Sequence, residues 1–257
     1  MAVETLAGKC ALCLLEKDLR ESHISSKFLW KHSGITGEKK RFAVNSPTHP
    51  ELNEPHRQDG IKEYLLCHNC EQRIGRYETY AARALFHDNG PVKNRQDRHY
   101  VWQGLDYTRM KLFQMSILWR MGVSSHPFYG HVSLGKHAEI LRTMLLAENP
   151  GEPSLYGCIA TLLEHAGKPI LGVFSQPLRR NKFGHNVYSY TIAGMHWYQY
   201  VTSHRPHQKI QQILLQPSGT WVLFRGEIEG IPELKSQVEL FRKEHTRAQQ
   251  GAGRKGG

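Results

Sequence analysis

The sequence predicts an α+β protein: a zinc-knuckle unit at the N-terminus, then a helical segment, then a mostly antiparallel sheet. Three observations carry this. Four of the five cysteines fall in two Cys-x-x-Cys pairs, Cys10/Cys13 and Cys67/Cys70. Apolar residues between 69 and 148 recur at helical spacing. Beyond Pro153 the apolar runs shorten to strand length and become rich in aromatic and β-branched residues.

Each Cys-x-x-Cys pair grips a metal from one tight turn, and four thiolates suit tetrahedral zinc. Disulfides fit less well, because no secretory-type segment stands before Cys10. A reducing cytoplasm is the expected compartment. Cys158 sits in an apolar run and reads as a small buried hydrophobe. Residues 14–66 exceed what a short zinc ribbon needs, so the working part is expected in that insert.

Taken in order, Gly34 to Lys40 reads as a turn and Arg41 to Val44 as a short strand. Asn45 to Gly60 is polar and reads as a surface loop. A helix is expected from Asn69 or Cys70 to about Phe86, with Ile74, Tyr77, Tyr80, Ala81 and Leu85 on one face, Asn69 as cap and Glu71 in the first turn. His87 to Pro91 ends it, and residues up to Asp106 read as loop or short strand. Thr108 to Met121 is apolar nearly all round, the mark of a buried central helix. Leu134 to Glu148 gives another helix, stopped by Asn149-Pro150-Gly151.

Strands are expected at Tyr156–Leu163, Ile170–Phe174 and Asn186–Thr202, the last broken at Ala193-Gly194. Gln212–Leu215 and Thr220–Phe224 flank Pro217-Ser218-Gly219 and read as a hairpin. A last helix is expected from Pro232, docking through Leu234, Val238 and Phe241. The division is then 1–90 for the zinc-binding part, 91–245 for an α+β part, and 246–257 for a disordered basic tail.

The net charge of +11 favours polyanionic partners, and no run approaches membrane-spanning length. Basic clusters lie at Lys39-Lys40-Arg41, at Lys93 to Arg98 including Arg95, at Arg179-Arg180-Asn181-Lys182, and in the tail. Each alone also reads as a solvated face; together they point to phosphate binding. His49, His56 and His68 flank the knuckles, while His196 and His204 read as residues of the strand region.

The order Cys10-x-x-Cys13, Ser22-His23-Ile24, Leu65-Leu66-Cys67-x-x-Cys70 resembles the HNH, or ββα-metal, nuclease family in its zinc-ribbon form. The resemblance covers residues 10 to about 86. It implies a ββα-like fold, hydrolysis of phosphodiester bonds in DNA or RNA, and a setting in bacterial defence. His23 takes the general-base position, and the four cysteines take the zinc positions. Glu71 stands in place of the family's helix histidine, where it can hold magnesium or manganese. The pattern departs at Ser22, where a metal-binding aspartate or histidine is expected, and at Ser25 or Ser26, near the expected proline. Lys62 or Glu63 occupies the asparagine position, though Asn45 or Asn53 can reach in from the loop. The alternative is a non-catalytic zinc-stabilised module that binds nucleic acid or a partner protein.

Overall fold

The computed structural model describes residues 5–33, 43–45, 60–87, 91–182, 184–202 and 204–234. It is a mixed α+β structure, as the sequence predicts. Three strands form a small sheet in the order β1-β2-β4: β1 (Leu6–Lys9), β2 (Glu16–His23) and β4 (Lys62–Cys67). The first knuckle is the turn between β1 and β2, closed by Leu14 N–H donating to the Cys10 carbonyl at 2.8 Å. Helix α1 (Lys27–Ser33) follows β2, and the short β3 (Ala43–Asn45) lies within the insert.

Strand β2 is not visible in the apolar pattern because its outward face is charged. Only Leu19 and Ser22 are buried along it, and a bulge between Arg20 and Glu21 offsets the alternation. Cys67 ends β4 and opens α2 (His68–Phe86). The expected face is present, with Cys70, Ile74, Tyr77, Ala81, Ala84 and Leu85 buried and Tyr80 half-buried at its edge. The expected cap is not. Cys67 holds the cap position without a side-chain hydrogen bond, and Asn69 lies inside the first turn.

Beyond it, β5 (Val92–Arg95) and β6 (His99–Gln103) form a hairpin in the stretch read as loop or short strand. Helix α3 (Tyr107–Val123) is the central element. Asp106 caps it, its carboxylate accepting from Arg109 N–H at 2.9 Å. Every residue from Met110 to Met121 is buried. A helix buried all round needs partners for its charged and hydroxyl side chains. Lys111 donates to the Glu152 carbonyl and the Tyr107 hydroxyl, and Ser116 donates to the Phe113 carbonyl at 2.8 Å. Helix α4 (Lys136–Leu146) is shorter than expected and packs through Leu141 and Leu145.

The C-terminal strands are β7 (Cys158–His165), β8 (Lys168–Pro169), β9 (Val173–Ser175), β10 (Leu178–Lys182), β11 (His185–Ile192), β12 (Met195–Tyr200) and β13 (Trp221–Glu227). All but β9 join β5 and β6 in an eight-stranded sheet of order β10-β11-β12-β7-β13-β6-β5, with β8 paired to β7. It is antiparallel except where β13 runs parallel to β7. Parallel pairing also joins β3 to β9. The β11–β12 hairpin turns at Ala193-Gly194, both at positive φ (53° and 74°), where the sequence places the break.

The hairpin expected across Pro217-Ser218-Gly219 is not formed. Residues 212–215 follow the short helix α5 (Gln208–Gln211) as turns, and Ile210 and Leu214 pack on Ile159, Val187 and Tyr200. Burying those apolar groups beneath a turn satisfies them as well as a strand would. β13 instead pairs with β6 and β7. Pro232–Leu234 is a 3-10 turn; the rest of the expected last helix, the basic tail, Lys39, Lys40, Arg41, Asn53, His49 and His56 lie outside the described residues.

One buried cluster includes Cys10, Ile74, Trp119, Tyr190 and Trp221, so apolar packing is continuous from the cysteine turns to the large sheet. Among the described residues no helix is long and apolar enough to cross a membrane.

Candidate metal centre and the polar site beside it

Two turns bring the four cysteines together. One joins β1 to β2; the other is the junction of β4 and α2. The Sγ atoms of Cys10, Cys13, Cys67 and Cys70 all lie within 4.8 Å of one another, and Cys13 and Cys67 are 3.9 Å apart. Cys10, Cys67 and Cys70 are buried. Four sulfurs converging without disulfides can hold a metal ion such as zinc. Cys67 N–H points at the Cys10 sulfur at 3.3 Å, as a backbone donor to a thiolate would. The Cys70 thiol beside it, reinforced by backbone donors, holds Cys10 well below the usual thiol range. Cys70 is pushed the other way by Cys10 and by burial. Cys158 is buried elsewhere, among apolar neighbours, and burial pushes its thiol up.

The same two elements position the residues singled out from the resemblance. Pairing of β2 with β4 sets Leu19 opposite Cys67, Ser22 opposite Glu63, and His23 opposite Lys62. Leu66 N–H donates to the Ser22 hydroxyl at 3.3 Å, and that hydroxyl donates to the Arg20 carbonyl at 3.2 Å. His23 is half-buried at the end of β2, and Glu71 is half-buried in the first turn of α2. Burial pushes the Glu71 carboxyl up, against the pull of the Ser22 hydroxyl and the Arg120 guanidinium. Glu71 Oε1 is buried with no hydrogen-bond partner among the described residues. Such an orphaned acceptor calls for a proton, water or cation.

Glu78 stands seven residues after Glu71 on the same face of α2, the nearest carboxylate on that helix to serve as a second metal ligand, but it is paired with Arg120. Arg120, 2% exposed, extends from α3 and pairs with its carboxylate at 2.7 Å. The same guanidinium donates to the His23 carbonyl at 2.7 Å and to the Ser26 hydroxyl at 3.1 Å, and Ser26 donates to Glu78 at 2.6 Å. Nε donates to the Ser116 carbonyl at 3.2 Å. One buried arginine thus fixes the end of β2, the start of α1 and the middle of α2. The apolar pattern of the α3 run does not by itself single out Arg120. A charged residue inside such a run is itself the signal, since burial demands an acidic partner.

The other positions are occupied too. Ser25 bonds the Tyr129 hydroxyl at 3.0 Å, and Lys62 pairs with Glu21 at 3.4 Å. Glu63 accepts from Ser125 N–H at 3.0 Å and from the hydroxyls of Ser124 and Ser125, closing the end of α3. His196 is fully buried in β12, with Nδ1 at 2.7 Å from the Thr191 hydroxyl, as a sheet residue.

Arg95 is exposed on β5, and Arg179, Arg180 and Lys182 lie on β10. These are the two edges of the large sheet. Cationic edge strands also discourage pairing with another sheet, so the basic clusters have a structural use beside any phosphate contact. No family model, no curated protein and no solved structure matches this chain.

Proposed function

We propose that this chain is an HNH-like, metal-dependent nuclease that hydrolyses phosphodiester bonds of DNA or RNA in bacterial defence. One observation carries the reading. An antiparallel β2–β4 pair followed by α2, closed by four cysteines, sets His23 at a strand end and an orphaned carboxylate oxygen of Glu71 in the first helical turn. His23 then takes the proton from the attacking water. Glu71 is suited to hold magnesium or manganese, since its buried Oε1 has no hydrogen-bond partner among the described residues and hard cations prefer carboxylate oxygen. Such an ion, when bound, neutralises charge on the scissile phosphate and the leaving oxygen. Ser22 contributes a hydroxyl already engaged with the backbone, and Arg120 positions rather than reacts. The thiolate centre is structural, and the net charge of +11 draws in the polyanion.

A specific observation favours a second reading, a zinc-stabilised module that binds nucleic acid or a protein without cutting. Among the described residues Glu71 belongs to no group of three metal-ligand side chains, and Glu78 is held by Arg120. The test is to incubate labelled double-stranded DNA, single-stranded DNA and RNA with the zinc-loaded chain, with and without manganese or magnesium. The nuclease reading expects cleavage that needs the added ion and is lost in Glu71→Gln. Salt-sensitive binding with no cleavage selects the second reading.

A further inference from the structure

Where the neighbouring strands β7 and β13 end, a second group of ligand side chains converges. His165 ends β7, Glu227 ends β13, and Glu229 lies in the 3-10 turn that follows. One ligand atom from each lies within 4.8 Å of the other two. We propose that these three residues form a second divalent-cation site, for zinc or manganese.

The ligand set suits that class. Two carboxylates and one imidazole match zinc or manganese, whereas calcium takes oxygen ligands only. A tetrahedral ion with ligand bonds of about 2.1 Å needs ligand atoms roughly 3.4 Å apart, within reach of small side-chain rotations here.

The site is held by rigid parts. The β7–β8 turn places Ala166 and Gly167 at positive φ (50° and 71°), and their N–H groups donate to Glu227 at 2.9 and 3.3 Å. Those bonds orient one carboxylate while leaving lone pairs for an ion. Beneath, Leu163, Ile228 and Ile231 belong to one apolar cluster that anchors both segments.

An ion pair accounts for only part of the arrangement. His165 Nδ1 meets Glu229 Oε1 at 2.5 Å, yet the other oxygen, Oε2, is buried with no hydrogen-bond partner among the described residues. A carboxylate oxygen left bare beside a second carboxylate offers a cation a ready acceptor. On a chain of net charge +11, two carboxylates facing one imidazole are also not a generic acidic face. His165 is exposed, which gives an ion its path in.

The test is calorimetric titration of the zinc-loaded chain with manganese, which competes poorly for thiolates. Glu71→Gln alone is compared with Glu71→Gln combined with His165→Ala or with Glu229→Gln, after circular dichroism has matched their folds, so that the site of the proposed function does not contribute. The expected result is uptake by Glu71→Gln that is weakened at least about tenfold when either second substitution is added. No uptake by Glu71→Gln, or uptake unchanged by either added substitution, overturns the proposal.

Discussion

Arg120 of α3 and Glu78 of α2 form an ion pair of 2.7 Å in which the arginine is all but inaccessible to solvent. Because the same guanidinium bonds the His23 carbonyl, the geometry of the proposed base depends on a helix far along the chain. Removing one partner of a buried pair leaves an uncompensated charge. Arg120→Met is expected to cost about 3 kcal/mol by urea unfolding, with the thiolate metal retained. Glu78→Gln, which leaves the more deeply buried Arg120 charge without its carboxylate, should cost at least as much.

The thiolate centre closes a chain segment whose sheet is only three short strands. Stripping its metal with a chelator, or Cys10→Ser, is expected to lower the melting temperature by about 10 °C or more, with recovery on adding zinc to the stripped wild type. A melt unaffected by chelation of a verified metal-loaded sample would count against a structural metal.

The centre was legible in the sequence because its ligands come as local pairs. Helices α2 and α3 were legible because their apolar residues repeat or fill the helix. Strand β2 was not, since only Leu19 and Ser22 face inward along Glu16–His23. The β5–β6 hairpin was hidden by its cationic edge, and residues 212–215 look like a strand because apolar content alone does not separate strand from buried turn. The Glu78–Arg120 pair and the His165–Glu227–Glu229 group join residues far apart in sequence, which one-dimensional spacing cannot bring together.

Lys111, 1% exposed within α3, gives a pH signature. Burial lowers its ammonium from the ordinary lysine value to about 7. Between pH 7 and 10 the unfolded chain then holds a proton that the folded chain has released, so this residue's destabilising contribution fades as pH rises. Lys111→Met lacks that dependence. The wild type should therefore gain on the variant from pH 7 to 9, by roughly 1.4 kcal/mol per pH unit at most, measured by urea unfolding at each pH.

Gly219 precedes β13 at φ +78°, and its carbonyl accepts from Leu105 N–H at 3.0 Å. A Cβ there would stand 2.3 Å from the Leu105 carbonyl oxygen, a backbone atom that cannot swing aside. Gly219→Ala is expected to destabilise by about 2 kcal/mol or more, read as a lower denaturant midpoint.

The central claim is that His23 makes the nucleophile in a metal-dependent nuclease. Its most direct test is the cleavage rate of the preferred labelled substrate with manganese, wild type against His23→Ala, at equal zinc content and equal melting temperature. The account predicts a loss of about a hundredfold or more in the variant with substrate binding retained. A variant that cuts at the wild-type rate would contradict it.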